Sequence, residues 1–525
     1  MSFFLLLFSG VAFLLSTNVD GADAPQWGQR WTRNMISEEK NLPSTFNPGR
    51  RNPQDGSVDL STTHNVRWTA PIGDVLFGTP VVAEGCVFVG SNRTRSNDPK
   101  LQGDKAVLTC LDEKTGKLHW EFVVPKLVEV KFADWHRVGI CSTPVVENGQ
   151  IYTVTNRCEV VCLDINGLAD GNQGPYQDET KHAVPAGEEP ITLTDKHADI
   201  FWLTDMVAEI GAFPHNASNC SVLIDGDAIY VCTGNGVDWT HRRVMNPSAP
   251  TLIVLDKATG AVLAVDSFGI GPNIIHGQWA SPTLVEIDGK RLVLQGTGSG
   301  WLFAVDALTP QQLDDARKRR TEGKPPLKLK TVWKFNGHPL AQTQDVTPLE
   351  HFHDTKSYQV VANPVFADRK VFAVFTQELY HKIPNGWLAC LDPTKTGDTT
   401  RSGALLWAYD GISSSGSTVA VADGLLYVAD NDGKLHCLDA ETGKPFWVHN
   451  LGGSPVWASP LVADGKIFIG TGRRVFWILK HGKEPEVLSR IPMPDQMMAS
   501  PVAANGVLYV PVFGTLYAVA TLPPP

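Results

Sequence analysis

The sequence predicts an all-β protein, an eight-bladed β-propeller of four-stranded antiparallel blades. Three observations carry this. The tight-turn pairs Asp423-Gly424, Asp464-Gly465 and Asn505-Gly506 stand 41 residues apart. Each precedes an apolar run (Leu425 to Val428, Lys466 to Ile469, Val507 to Val510). The last unit, 496–520, stops after its third strand, while HNVRWTAPI at 64–72 reads as an unpartnered strand near the N-terminus. Asp-Gly and Asn-Gly favour the type I′ turn of a two-residue hairpin. A period near 40 residues with strand-turn patterning belongs to a propeller array, whose blades must stack to bury their faces. Pairing 64–72 into the last blade closes the ring and removes two open edges.

In chain order, residues 1–22 read as a secretory signal peptide. SFFLLLFSGVAFLLS is an apolar run of secretory length, short for a spanning helix, followed by small and polar residues. The processed chain is therefore expected to be periplasmic or secreted and not membrane-spanning. Residues 23–63 form an irregular arm in which Trp27, Trp31 and Phe46 can pack against the propeller. The propeller spans 64–520, and 521–525 are a tail. The 47 glycines and 36 prolines reflect turns rather than disorder, because 42% of the residues are hydrophobic. With a net charge of −10 and no concentrated Lys/Arg face, nucleic-acid binding is not expected.

Each blade opens on a short strand, often begun by a small residue before proline, as at Thr79-Pro80, Thr143-Pro144, Ser281-Pro282, Asn363-Pro364, Ser459-Pro460 and Ser500-Pro501. Proline is tolerated where no ladder donor is needed. The first hairpin turn falls at Glu84-Gly85, Asn148-Gly149, Asp225-Gly226, Asp288-Gly289, Asp368-Arg369 and the three pairs above. An Asp225-Gly226 turn pairs Cys220 with Val231 and Asn219 with Cys232, which puts the two thiols on opposite faces. The third strand ends in Leu-Asp or Val-Asp. The fourth carries a tryptophan (Trp120, Trp202, Trp333, Trp407, Trp447, and Trp68 in the closing strand), whose ring can pack against the next blade. Cys110, Cys162, Cys390 and Cys437 precede the Leu-Asp pair at one repeat position, as buried small hydrophobes do.

LDEKTGKLHW (111–120) and LDAETGKPFW (438–447), with their preceding Ser-Pro-x-Val hairpins, resemble the repeat of the pyrroloquinoline quinone (PQQ) propeller family. The resemblance covers roughly 64–520. That family includes quinoprotein alcohol and glucose dehydrogenases, and also the outer-membrane barrel-assembly propeller, which has no cofactor. It implies PQQ and Ca²⁺ as candidate cofactors. Methanol-dehydrogenase-like members stack the quinone between a tryptophan and a disulfide of adjacent cysteines, use an Asp base, and hold Ca²⁺ through Glu, Asn and Asp. Here no two of the nine cysteines are adjacent, and no Cys-x-x-Cys-His segment exists to attach haem. Trp279 or Trp457 could floor a quinone.

Strand direction alternates, so second-to-third strand loops and the links between blades share one face. That face carries the long insertions and eight of the fifteen histidines: His136, His215, His241, His276, His338, His351, His353 and His381. Trp135, Arg137 and Glu378 join them. The candidate ligand-binding residues are His215, Asn216, Asp238, Trp239, His241, His276, Gln278 and Trp279, from PHNAS (214–218), NGVDWTH (235–241) and HGQWASP (276–282). Aromatic planes stack on rings, and histidines orient oxygens or act as acid, base or metal ligand. On the opposite face, 164–179 is dense in oxygen ligands. Asp164, Asn166, Asp170, Asn172 and Asp178 are candidates for a hard cation, although EF-hand spacing fails. The insertion 311–330 begins as a helix after Thr309-Pro310.

Two functions of different class follow: a monomeric exported module binding a small molecule or scaffolding a protein partner, or a PQQ-dependent oxidoreductase of alcohols or sugars. The sequence does not decide whether the chain is an enzyme.

Overall fold

A computed structural model describes residues 21–94, 101, 103–127, 133–218, 220–241, 243–274, 276–346, 357–377, 385–453 and 455–522. Residues 1–20, which hold most of the expected signal peptide 1–22, and the candidates His351, His353, His381 and Glu378 lie outside them. Eight antiparallel blades surround one axis. Blade 1 runs from Val81–Ala83 at the axis through Cys86–Arg93 and Lys105–Asp112 to Leu118–Pro125 at the rim. Blades 2 to 7 begin at Val145–Glu147, Leu223–Asp225, Thr283–Ile287, Val365–Ala367, Ala420–Ala422 and Leu461–Ala463. Blade 8 has three C-terminal strands, from Val502–Ala504 to Thr515–Val519, and is completed by Val66–Pro71. Ala70 lies opposite Leu516 and Val66 opposite Val519, the expected closure.

Seven of the eight hairpins place both central residues in the left-handed region, from Glu84-Gly85 (φ 53°, 79°) to Asn505-Gly506 (φ 51°, 72°), as a type I′ turn requires. Asp368-Arg369 does so without glycine. Blade 3 corrects the sequence expectation. Its turn is Gly226-Asp227, with Asp225 opposite Ala228 and Ile224 opposite Ile229. Only Gly226 has positive φ (62°), the demand of a type II′ turn at its first central position. The turn therefore slides one residue to put glycine there. The slid register sets Cys232 opposite Ser221 rather than Asn219 and leaves Cys220 one position out of pair with it; both cysteines are free and buried, with the Cys232 backbone N–H donating to Cys220 Sγ at 3.2 Å. Asn219 lies outside the described residues. Cys110, Cys162, Cys390 and Cys437 are buried and free.

The hydrophobic core is divided among the interfaces between blades. Blade 1 meets blade 2 through Phe88, Trp120, Ile151 and Leu163, and blade 6 meets blade 7 through Tyr427, Trp447, Ile467 and Trp477. The fourth-strand tryptophans clasp these interfaces. Each Nε1–H of Trp68, Trp120, Trp202, Trp333, Trp407 and Trp447 donates to a carbonyl in the next blade at 2.8–3.2 Å. The rings of Trp68, Trp202 and Trp407 lie over the glycine of the neighbour's Thr-Gly turn, at Gly116, Gly260 and Gly443: a Cβ on Gly116 would stand 2.5 Å from the Trp68 ring. Two interfaces lack this tryptophan. Between blades 3 and 4, Leu313 and Ala316 of the helix Pro310–Thr321 complete the core. Between blades 7 and 8, Leu42 and Phe46 of the arm do so, Phe46 meeting Phe476 edge-on at 5.7 Å.

At the axis the small residues that open the blades form a girdle. The N–H of Ser221 donates to Ser281 Oγ, Ser281 to Asn363 Oδ1, Asn363 to Thr418 Oγ1, Thr418 to Ser459 Oγ, Ser459 to Ser500 Oγ, Ser500 to Thr79 Oγ1 and Thr79 to Thr143 Oγ1, all at 2.7–3.2 Å. Between blades 2 and 3, Ser142 Oγ donates to the Cys220 carbonyl instead.

The arm threads this axis. Ala24 bridges Val82 in blade 1, and the Pro25 carbonyl accepts from Val146 in blade 2. The carbonyls of Trp31, Thr32 and Met35 accept from Leu284, Phe366 and Val462, and Asn34 exchanges two hydrogen bonds with Val421. Ser37 reaches Ala503 in blade 8. Arg33, wholly buried, donates to the carbonyls of Val222 (2.8 Å), Ser221 (3.3 Å) and Pro282 (3.0 Å). Burial lowers its pKa to about 10, which leaves it charged at neutral pH.

Two outcomes are expected. Arg33→Ala strands three carbonyls at the hub and should cost roughly 3 kcal/mol or more, read as a lowered urea midpoint with unchanged slope. Gly226→Ala meets nothing within 4 Å and should cost about 1–2 kcal/mol from backbone alone. Gly116→Ala adds the collision with Trp68 and should exceed it by about 1–3 kcal/mol. Equal losses in the two glycine variants would contradict the clasp.

Candidate functional site

The links between blades and the loops between second and third strands converge on one mouth. There they enclose a cavity of about 420 Å³ on the propeller axis. Trp27 of the arm contributes to its lining and the girdle residues Thr79, Asn363 and Ser500 belong to its wall. The other aromatic walls are Phe77, Trp135, Trp239, Trp279 and Trp457, with Phe77 and Trp457 centred 5.6 Å apart. Trp135 and Trp239 are 53% and 71% exposed and rim the opening. The remaining polar groups are Asn216, His241 and His276. No Asp, Glu, Lys or Arg lines the cavity among the described residues. Cys141 does, but burial pushes its thiol up to about 12, so it is not a thiolate nucleophile.

One wall is a cluster of three imidazoles. His215 comes from the link into blade 3, His241 from blade 3's own loop, and His276 from the link into blade 4. Their ring centroids form a nearly equilateral triangle with sides of 4.7, 4.9 and 4.9 Å. His215 Nδ1–H donates to the Val237 carbonyl at 2.6 Å, which leaves Nε2 with its lone pair. That Nε2 stands 3.1 Å from His241 Nε2. One ligand nitrogen from each of the three lies within 4.8 Å of the others. Burial pushes the His215 pKa down to about 4, against the opposing pull of the Val237 hydrogen bond and Asp238, so the ring is neutral at pH 7. Asn216 (φ 61°) and His241 (φ 56°) hold left-handed backbone, which turns these loops inward.

Of the eight candidate ligand residues, Asn216, Trp239, His241, His276 and Trp279 line the cavity, and His215 backs it within the cluster. Asp238 instead caps its own loop, accepting from Thr240 Oγ1 at 2.8 Å and from the Arg243 N–H at 3.3 Å. Gln278 is buried behind the wall, donating to Asn235 Oδ1 at 3.0 Å. In the acidic loop the candidate residues take local partners. Asp164 accepts from the Asn166 N–H, Asp170 from Asn166 Nδ2 and Asp178 from Lys181, while Asn172 donates to Glu179. The one group of three converging His, Cys, Asp or Glu ligands among the described residues is the histidine cluster. Sequence reasoning passed over Trp27 and Phe77. The repeated small-residue-before-proline position could have located Thr79, Asn363 and Ser500, since one position in every blade must face the axis.

Comparison with known proteins bears on the fold. The family model described as outer membrane protein assembly factor BamB matches residues 54–349 and 384–483. No curated protein matches the sequence. A solved europium-containing methanol dehydrogenase superposes with a TM-score of 0.60 at 13% identity, covering 95% of this chain and 98% of that one. BamB from Moraxella catarrhalis superposes with a TM-score of 0.50 at 13% identity, covering 86% and 98%. At such identity the likeness shows the fold alone. With the family model covering most of its length, the chain belongs to the PQQ-repeat β-propeller family described as outer membrane protein assembly factor BamB.

Proposed function

We propose that this protein is an exported binding propeller whose axial mouth takes an uncharged, ring-shaped small molecule, such as a carbohydrate. The observation that carries the reading is the cavity itself: about 420 Å³, walled by aromatic rings and neutral hydrogen-bonding groups. Indole faces stack on sugar and aromatic rings, and Asn216, Asn363 and Ser500 supply donors and acceptors that fix orientation.

The cofactor associated with the fold family does not suit these walls. PQQ is a tricarboxylate, and such a ligand calls for guanidinium, ammonium or a bound cation. The described lining offers no Lys or Arg, and no carboxylate to hold Ca²⁺ or serve as a base. No adjacent cysteines exist to stack on a quinone. The oxidoreductase reading therefore has less support than binding. A second binding reading, a protein partner seated over the mouth, is favoured by the exposure of Trp135 and Trp239, because exposed aromatic anchors suit protein interfaces. No helix of the described residues is long and apolar enough to cross a membrane.

The test is intrinsic tryptophan fluorescence of the purified chain against a panel of neutral oligosaccharides and neutral aromatic rings. A saturable change is expected, weakened about tenfold or more in Trp239→Ala and Trp457→Ala through lost stacking. Trp239→Ala should leave stability within about 0.5 kcal/mol because the ring is exposed. His276→Ala, a buried site, should cost about 1–3 kcal/mol. Binding indifferent to both tryptophan changes would end this assignment. Dye-linked alcohol oxidation after reconstitution with PQQ and Ca²⁺ would establish the oxidoreductase instead.

A further inference from the structure

We infer that His215, His241 and His276 form a three-histidine site for a divalent transition metal of the zinc class, with an open coordination position facing the axial cavity. This goes beyond the ligand reading above and does not depend on it.

The geometry matches a first coordination shell. Zinc–imidazole bonds are about 2.0–2.1 Å, so two nitrogens on one tetrahedral centre stand about 3.3 Å apart. His215 Nε2 and His241 Nε2 are 3.1 Å apart. The ring centroids of all three histidines make a triangle of 4.7–4.9 Å, and one nitrogen from each lies within 4.8 Å of the others, close enough for small side-chain rotations to bring all three onto one ion. The donor set also suits the metal. Imidazole nitrogen binds zinc, copper, nickel and iron, whereas Ca²⁺ and Mg²⁺ require oxygen. The first histidine is prepared for the role: its Nδ1–H is held by the Val237 carbonyl at 2.6 Å, which fixes ring orientation and directs Nε2 inward. A backbone carbonyl on the distal nitrogen is the usual outer-shell support of a metal-bound histidine.

The three ligands arrive from three separate segments, held by two blades. His215 and His276 are 3% and 2% exposed, so two ligands are set in the protein wall, while His241 closes the cluster from a loop on left-handed backbone. His241 and His276 line the cavity and His215 lies behind them. The remaining coordination position therefore points into the cavity, where water or a donor atom of a bound molecule completes the shell. Three protein ligands plus one exchangeable position is the pattern of reactive rather than purely structural zinc sites.

The alternative is a neutral Nε2–H···Nε2 hydrogen bond between His215 and His241, with no affinity for metal. Titration of the metal-stripped full chain with Co²⁺ separates the two. One Co²⁺ per chain is expected, with visible d–d bands of four- or five-coordinate intensity that Zn²⁺ displaces. His241→Ala and His241→Gln should weaken uptake by roughly a hundredfold, whereas His119→Ala, on the exposed surface, should leave it unchanged. Zn²⁺ should raise the Tm of the parent and not of His241→Ala, whose circular dichroism should match the parent. Azide should shift the Co²⁺ bands by entering the open position. Absence of uptake, or uptake unchanged in both His241 variants, overturns the site; uptake with no azide response overturns the open position. Metal uptake without any organic ligand bears only on this inference, and ligand binding by the metal-free chain bears only on the cavity.

Discussion

Eight blades can close around an axis only if their innermost strands find partners for the backbone groups that face it. A strand edge left open is costly inside a protein and sticky outside it. Here the requirement is met from two directions. The hydroxyl and amide side chains at the blade openings pass hydrogen bonds from one blade to the next, and the arm supplies the rest. Arg33 stands between blades 3 and 4, with a charge wholly withdrawn from water and turned toward three of their carbonyls. Within 24–37 the chain contacts the inner strand of every blade or, in blade 3, the residues that lead into it, so an irregular segment serves as the hub of a regular array.

The same constraint makes the cavity. Because the arm runs along the axis, it contributes Trp27 to the lining of the axial cavity. The girdle residues then act twice, tying blades together and presenting polar groups to the pocket, as Thr79 and Ser500 do. On the opposite face, outside the insertions 164–179 and 311–330, Asp112, Asp256 and Asp439 cap the Thr-Gly step. The mouth holds the groups whose geometry exceeds what local folding needs.

Irregularities in the array follow from the same need to fill interfaces. Blade 3 has no fourth-strand tryptophan, and the helix after Thr309 lays Leu313 and Ala316 across its junction with blade 4, anchored by Arg317 to Asp256 and Asp227. Between blades 7 and 8 the arm returns to do the same with Leu42 and Phe46. The insertions are thus partly structural substitutes for a missing clasp, and they sit where the repeat is weakest.

Sequence alone determined the number of blades, the closing strand and the packing role of the tryptophans. These are local properties, set by turn chemistry at residues such as Asp464-Gly465, by alternation within strands, and by a spacing that repeats. It misplaced one turn, because Asp-Gly suits type I′ while Gly226 at the first central position selects type II′, and only the full strand pairing shows which prevails. It brought out Trp239, His241, His276 and Trp279 because insertion length and residue type single out the mouth. It could not separate Asp238, which bonds within its own loop, and Gln278, which turns to Asn235 of blade 3, from neighbours that face the cavity. Only the tertiary structure decided that 24–37 fill the axis and that three histidines from three segments meet at one point. Neither feature carries a period or a fixed spacing; both come from long-range closure of the ring, which brings together residues that no local pattern relates.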